Sequence, residues 1–559
     1  MRRKIAGKLL ICAFAVAMVG SVCLHAEEAD HLVRKTAYGE VLGTLDEGSQ
    51  ALVWYGIPYA AAPVGELRWA EPADPEVWEE ALDCTEPAEP GMQYAMDYAT
   101  GENTLIGTED CLNLDIYATA DAEKLPVLVY IHGGNNQTGK SGEIPGKQIV
   151  KDNHCVYVSL NYRLGLFGFN CLPAIVSGGE KTGNFTMLDI AKALDWVKEN
   201  IAAFGGDPEN ITISGFSAGG RDVMAMLTSP LFAGKFDKAL VFSGGMTMAD
   251  EAASASQIAA AIAPLAVEDG LFEDEAEAKE WLLTDADDVR EYLFGLAPDR
   301  VCALMGNAGI RMSAFPHLYN DGILLPEEGF DTESYNSVPL LMLTGETEFS
   351  LFCNFDGYFF SPAMADLDED TLNAAKNFAC LYGSDMYRIF NGQCSAEKMS
   401  DKYDSDIYLC QVAYGSVNSA TFLPAMGSFH GIFVPMLTDD HTYASFGDFT
   451  VEGYQKMAGV FDQYLTNFLA TGDPNGEELT EWPAWTPDNK VSLVLDADET
   501  EAIIEAKDVS STYEAIIGEM EADDSVSEEI KSGVIQNVMN GRWFSDALDK
   551  YYENPSLWH

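Results

Sequence analysis

Ile211-Thr-Ile-Ser-Gly-Phe-Ser217-Ala-Gly-Gly220 is the stretch whose reading decides the fold. The β-branched run Ile211 to Ile213 predicts a buried strand, Gly215-x-Ser217-x-Gly219 a tight turn, and Arg221 to Leu227 a helix. The order strand, turn, helix has chemical meaning because a serine hydroxyl is a weak nucleophile. It needs exposure at the end of a rigid sheet, a base beside it, and backbone amides facing the developing oxyanion. Glycines at positions 215 and 219 remove side chains that would collide in so sharp a turn. By itself the five-residue pattern also fits a plain glycine-rich turn, so its surroundings carry the argument.

Outward from this turn, apolar runs of strand length recur. Pro126 to Ile131 stops at His132-Gly-Gly-Asn-Asn136, where flexible residues suit a loop whose amides turn toward a ligand. Val156 to Leu160 ends at Asn161-Tyr-Arg163, and Lys238 to Phe242 ends at Ser243-Gly-Gly245. Between them Ile190, Leu194, Val197 and Ile201 mark one face of a helix that Gly205-Gly206-Asp207-Pro208 terminates. Strands alternating with helices imply a mostly parallel sheet covered on both faces. Reactive groups then belong at the carboxyl ends of the strands, where His132, Ser217 and Ser243 fall.

A nucleophilic Ser217 needs an imidazole and an acid. In α/β-hydrolases the chain order is serine, acid, histidine, which leaves His317, His430, His441 and His559 among eight histidines. His441 follows Asp439-Asp440 in a polar turn and His559 is the last residue; His430, within Gly427-Ser-Phe-His430-Gly431, is the best candidate. For the acid, the strand-like run Val338 to Leu343 is followed by Glu346 and Glu348, and Glu348 is favoured. A carboxylate just past a strand end is placed to fix the imidazole tautomer and stabilise the imidazolium.

The whole chain sets outer bounds. Its 559 residues allow several domains, yet no internal repeat or Gly-, Ser- or Pro-rich linker divides them. Met1-Arg-Arg-Lys4, an apolar run from Leu9 to Val22 and Leu24-His-Ala26 read as a secretory signal peptide cleaved near Ala26. The expected domains are therefore 1–26, the signal, and 27–559, one α/β-hydrolase domain with a helical C-terminal extension from about 499. The apolar core is too short to span a bilayer, and no later segment reaches that length. Without Arg2, Arg3, Lys4 and Lys8, 28 basic residues face 89 acidic ones, a net charge of −61. Such a charge argues against a nucleic-acid partner. The acids crowd residues 251–300 and 366–370 in helical-looking sequence and read as a solvated surface. Nine of 11 cysteines lie past the signal, and none shows metal-site spacing, so neither metal nor cofactor is indicated. Cys84 and Cys111 bracket a long loop that a disulfide would close, and Arg68 and Glu109 are candidates for an ion pair holding it.

Taken together, the motifs resemble the type-B carboxylesterase family, the carboxylesterase, cholinesterase and lipase group of the α/β-hydrolases. The resemblance rests on Gly56 to Trp69, Glu109-Asp-Cys-Leu-Asn-Leu114, Tyr130-Ile-His-Gly-Gly134, Asn161 to Phe169, Gly183-Asn184, Phe204 to Gly220, Ala470 to Gly476 and Trp482-Pro483. It implies a mostly parallel central sheet with large cap insertions and an exported serine hydrolase acting on small-molecule esters. The triad it implies is Ser217, Glu348 and His430, with an oxyanion hole from the amides of Gly134, Asn135 and Ala218 and a disulfide from Cys84 to Cys111. Four positions depart from the family pattern: Phe216 and Phe433 replace carboxylates, while Asn135 and Phe349 replace glycines. The gained phenylalanines suggest a more apolar gorge and oppose recognition of a cationic substrate. A catalytically silent binding protein on the same fold is the alternative; such relatives typically lose a triad residue, whereas all three stand here.

Overall fold

The computed structural model describes residues 31–96, 103–177, 181–306 and 315–554; the signal segment, His559 and part of the long loop lie outside them. The large sheet contains, in chain order, β1 (Thr44–Leu45), β2 (Leu52–Pro58), β3 (Asn113–Ala118), β4 (Leu125–Ile131), β5 (Val156–Leu160), β6 (Gly206–Phe216), β7 (Lys238–Phe242), β8 (Leu340–Gly345), β9 (Ile407–Val412), β10 (Val491–Ala497) and β11 (Ala502–Asp508). Their order across it is β11-β10-β9-β8-β7-β6-β4-β5-β3-β2-β1. Strands β4 to β10 run parallel, and antiparallel strands close both edges.

Alternation along the central strands explains how one sheet supports two cores. Val127, Val129 and Ile131 of β4 enter one apolar cluster with Ile211, Ile213, Ala239, Val241, Leu340 and Met342. Their neighbours Leu128, Tyr130, Leu240, Phe242, Leu341 and Leu343 enter the other. The first face is covered by α1 (Phe185–Asn200), through Ile190, Leu194 and Val197, and by α2 (Ala218–Met226). The second is covered by α5 (Glu452–Thr471), through Met457, Phe461, Leu465 and Phe468. Both faces being apolar, the strands read as nearly unbroken hydrophobic runs. That is why β5 and β7 were legible with the bounds found here.

Long insertions follow β7 and β8. The first carries the acidic helices, beginning with α3 (Glu251–Glu268); the second carries α4 (Glu369–Ile389). The extension expected to be helical from about 499 opens with a strand: β11 lies beyond that position and pairs along its whole length with β10. After it come α6 (Tyr513–Ala522), α7 (Glu528–Val534) and α8 (Asp546–Tyr551). The helical run that α7 begins stops before Gly541, which takes φ +62°, and Arg542 turns inward to a buried ion pair with Asp356 at 2.6 Å.

Arg68 and Glu109 do form an ion pair, in a two-bond fork at 2.7 and 3.0 Å. Arg163 pairs with Asp189 at 2.6 Å and donates to the carbonyls of Arg68 and Ala70, tying the loop before Trp69 to α1. The expected bridge from Cys84 to Cys111 is not formed: both are buried free thiols. Hydrogen bonds anchor this region instead, from the Tyr55 N–H to the Cys84 carbonyl at 2.8 Å and from the Tyr59 N–H to the Leu112 carbonyl at 3.1 Å. Among the described residues no helix is long and apolar enough to cross a membrane.

Candidate active site

Ser217 lies between the end of β6 and the start of α2, with φ +56° and ψ −114°. Few side-chain-bearing residues hold such a backbone, and its persistence marks a turn fixed from outside. The fixing groups are visible. The Ser217 N–H donates to the Phe242 carbonyl of β7 at 2.9 Å, and its own carbonyl accepts from the Arg221 N–H at 3.0 Å. Both flanking glycines are sterically required: a Cβ on Gly215 would sit 2.2 Å from the Gly219 carbonyl oxygen, and one on Gly219 would sit 2.1 Å from that of Ile131.

The loop after β4 lies against this turn. A Cβ on Gly133 would come within 3.3 Å of the Ser217 Cβ. Gly134, Asn135 and Asn136 follow with φ of +97°, +56° and +56°. The loop is braced by Glu143, whose Oε2 accepts from the Gly133 N–H at 2.9 Å and the Tyr130 hydroxyl at 2.6 Å. His132 braces it too: the ring stacks on Tyr162 at 4.3 Å and bonds the Gly133 carbonyl at 2.8 Å. Burial pulls its pKa down to about 4, so it stays neutral. His317 is also buried and pushed well below its ordinary value, first by desolvation and then by the Arg221 charge.

Glu348 and His430 meet at the carboxyl ends of β8 and β9. His430 Nδ1 lies 2.8 Å from Glu348 Oε2. The other carboxylate oxygen, Oε1, accepts from the Gly345 N–H at 2.5 Å, from the Thr344 hydroxyl at 3.0 Å and from the Ser243 hydroxyl. Glu346, the competing acid, instead bonds Gln411 and Asn418 at 3.1 and 3.2 Å. Imidazole Nε2 is buried with no hydrogen-bond partner among the described residues. The ring is packed by Phe216, the neighbour of Ser217, at 4.6 Å and by Phe352 at 5.0 Å. Nδ1 is thus committed to the carboxylate, while Nε2 remains available to a nearby hydroxyl.

Three substituted phenylalanines have a different role from the gorge walls expected of them. Phe433 is fully buried and stacks on Phe242 at 4.0 Å while meeting Phe216 edge-on at 5.0 Å. Phe349 is fully buried against Phe544. Phe433 backs Phe216 and Phe349 stacks on Phe352, the two rings that pack on the imidazole. Sequence reasoning also missed Tyr387, whose hydroxyl donates to the Ser243 carbonyl at 3.0 Å and lies 3.3 Å from His430 Nδ1. Trp543 was missed as well. It comes from the C-terminal segment and packs on both Phe352 and Tyr387 at 5.4 Å. No local motif marks either residue.

Five residues past the nucleophile, Asp222 is buried and accepts from Asn136 Nδ2 through Oδ1 at 2.8 Å, while Oδ2 has no partner among the described residues. Burial raises this carboxyl from 3.8 to about 7. The folded state therefore holds a proton that the unfolded chain releases, and Asp222 costs stability progressively as pH rises from about 4 to about 7. Asp222→Asn is neutral throughout. Urea unfolding is expected to show the wild type losing stability relative to D222N across that window and the difference levelling off above it. A pH-independent difference refutes the shift.

The described residues contain no group of three or more His, Cys, Asp or Glu placed to hold a metal. Comparison with known proteins gives a consistent family. The sequence profile of the carboxylesterase family matches residues 30–379 and 358–512. The para-nitrobenzyl esterase of Bacillus subtilis (strain 168) is 30% identical over 507 residues, spanning 84% of this chain and 96% of its own. Liver carboxylesterase 1 of Oryctolagus cuniculus is 27% identical, over 85% of this chain and 92% of its own. Among solved structures, a carboxylesterase of Geobacillus stearothermophilus superposes with a TM-score of 0.65 at 26% identity, covering 88% of this chain and 99% of that one. With its elbow, its sheet and this kinship in hand, the chain belongs to the carboxylesterase family and is a hydrolase of carboxylic esters.

Proposed function

We propose that the protein is an exported serine esterase in which Ser217 is the nucleophile, His430 the general base and acid, and Glu348 the carboxylate that orients it. The observation that carries this reading is the Glu348–His430 pair: one carboxylate oxygen locked by three donors, the other at 2.8 Å from Nδ1. That arrangement sets the neutral imidazole with its proton on Nδ1 and its lone pair on Nε2. His430 takes the Ser217 proton as the hydroxyl attacks the ester carbonyl. The oxyanion forms against the N–H groups of Gly134, Asn135 and Ala218. His430 then returns the proton to the departing alcohol, and water repeats the sequence to release the acid.

Export rests on the sequence from Met1 to Ala26. Neutral esters with apolar acyl groups are the proposed substrates, since positions 216 and 433, where the family pattern carries carboxylates, hold phenylalanine and add no negative charge near the site. Para-nitrobenzyl and liver carboxylesterases are the kind of relative this reading fits. The test is labelling with a fluorophosphonate, which phosphonylates an activated serine. Peptide mapping is expected to find the adduct on Ser217, with prior incubation at high ester concentration slowing it. An unlabelled protein that still binds esters favours the silent binding protein.

A further inference from the structure

Asn135 occupies a left-handed backbone position, φ +56°, that glycine adopts without cost and a side-chain-bearing residue does not. Asparagine is among the residues that tolerate it best, but the structure shows more than tolerance. The Asn135 side chain is buried, its Oδ1 accepting from Arg221 Nη2 at 3.1 Å and its Nδ2 donating to Gln137 Oε1 at 3.2 Å. Gln137 in turn donates through Nε2 to the Gly306 carbonyl at 3.0 Å. The amide is therefore held from both sides.

Arg221 is unusual in its own right. It stands in the first turn of α2, four residues beyond Ser217, and is 1% exposed. The guanidinium lies over the Trp543 ring at 5.5 Å, and Nη1 has no hydrogen-bond partner among the described residues. Burying such a cation is expensive unless it is compensated. The adjacent carboxylate does not compensate it by contact, because Asp222 bonds Asn136 instead. Burial pulls Arg221 down to about 10, which still leaves it charged at neutral pH. A buried charge aimed at a loop that faces the nucleophile is retained at a cost, and the loop is where it acts.

We infer that Arg221 is a positioning residue for the reaction: by gripping the Asn135 side chain it holds the Asn135 N–H toward the ester oxygen as that oxygen gains negative charge. The inference rests on the oxyanion hole proposed above. It also accounts for the departure at position 135, since the grip supplies the backbone geometry that a third glycine would reach unaided. Loss of an oxyanion donor costs roughly 100- to 1,000-fold in turnover, and a loosened donor a fraction of that.

The test is a double-mutant cycle between Arg221→Met and Asn135→Gly, read as kcat and KM for a neutral p-nitrophenyl ester and as affinity for an arylboronic acid that mimics the tetrahedral intermediate. R221M is expected to lower kcat by about tenfold or more with little change in KM, and to weaken the boronate by a similar factor. In the N135G background the same substitution is expected to change kcat by less than about threefold, because no side chain is left to grip. A merely structural Arg221 would give equal losses in both backgrounds, and that result, or wild-type kcat in R221M, overturns the inference. Should R221M fail to fold by circular dichroism, Arg221→Lys, which keeps the charge and loses the planar fork, is carried through the same cycle with the same criterion. An active Ser217→Ala variant would remove the site reading itself; an inactive one beside a fully active R221M removes this inference alone.

Discussion

Ester turnover by Ser217→Ala is expected to fall by about four to six orders of magnitude, leaving only what the oxyanion donors and substrate binding supply. The loss is chemical and not structural. The backbone bonds that fix the turn, from the Ser217 N–H to Phe242 and from the Arg221 N–H to Ser217, survive the substitution because they use no side-chain atom. Alanine keeps the Cβ and so keeps the strain of φ +56° with ψ −114°. A Ser217→Gly variant removes that strain as well as the nucleophile, so it is expected to be as inactive as S217A and to melt at higher temperature. Strain at such a position is worth about 1–3 kcal/mol, against which glycine's greater unfolded entropy returns a part. Steady-state kinetics with a p-nitrophenyl ester and a thermal melt on the two variants check both statements. Activity in S217A within tenfold of wild type, an estimate far above the residual expected of an oxyanion hole alone, would show that another residue carries the chemistry.

The parts of this site that the sequence revealed are those encoded within a few residues of a strand end. Ser217, the glycine loop after His132, and Glu348 each follow an apolar run that has to be a buried strand, so the rule that reactive groups sit at carboxyl ends located them. His430 was reachable because its alternatives were few and poorly placed. The groups that finish the site are supplied across long separations and carry no local signature. Ser243 and Thr344 reach Glu348 from β7 and β8, yet each reads in isolation as an ordinary strand-end hydroxyl. Arg221 and Asp222 look like solvent-facing charges on a short helix, and both are buried. Trp543 reaches the Phe352 and Tyr387 rings from a segment that looked like a peripheral extension. Position 499 is where family motifs thin out, so β11 carried no motif to mark it, but backbone hydrogen bonding continues through β10 and β11 regardless. Cys84 and Cys111 bracket a loop as a disulfide would, yet Arg68 and Glu109 and backbone bonds already hold it.

The role of Glu348 makes the second large effect predictable down to the tautomer. Glu348→Gln is nearly isosteric, so the question is which way the new amide turns. At the Oε1 position three donors converge, the Gly345 N–H at 2.5 Å and the hydroxyls of Thr344 and Ser243. An NH2 group there would face three donors in a buried site, whereas a carbonyl oxygen satisfies them. The amide oxygen therefore takes that position and the NH2 is forced toward His430 Nδ1, 2.8 Å from the displaced oxygen. Two donors cannot share that contact, so the imidazole moves its proton from Nδ1 to Nε2 and presents an N–H to the serine where a lone pair is required. Turnover is expected to fall by about 10⁴-fold, as it does when the same change is made in a serine-protease triad, with KM little altered because the substrate contacts are untouched. The imidazole Nδ1 and Nε2 signals in a nitrogen-edited NMR spectrum of E348Q are expected to exchange their protonated and unprotonated positions relative to wild type. Retention of more than about a tenth of wild-type kcat, an allowance well above the loss expected for the wrong tautomer, would mean that a different acid orients the base, and Glu346 would be the first to replace.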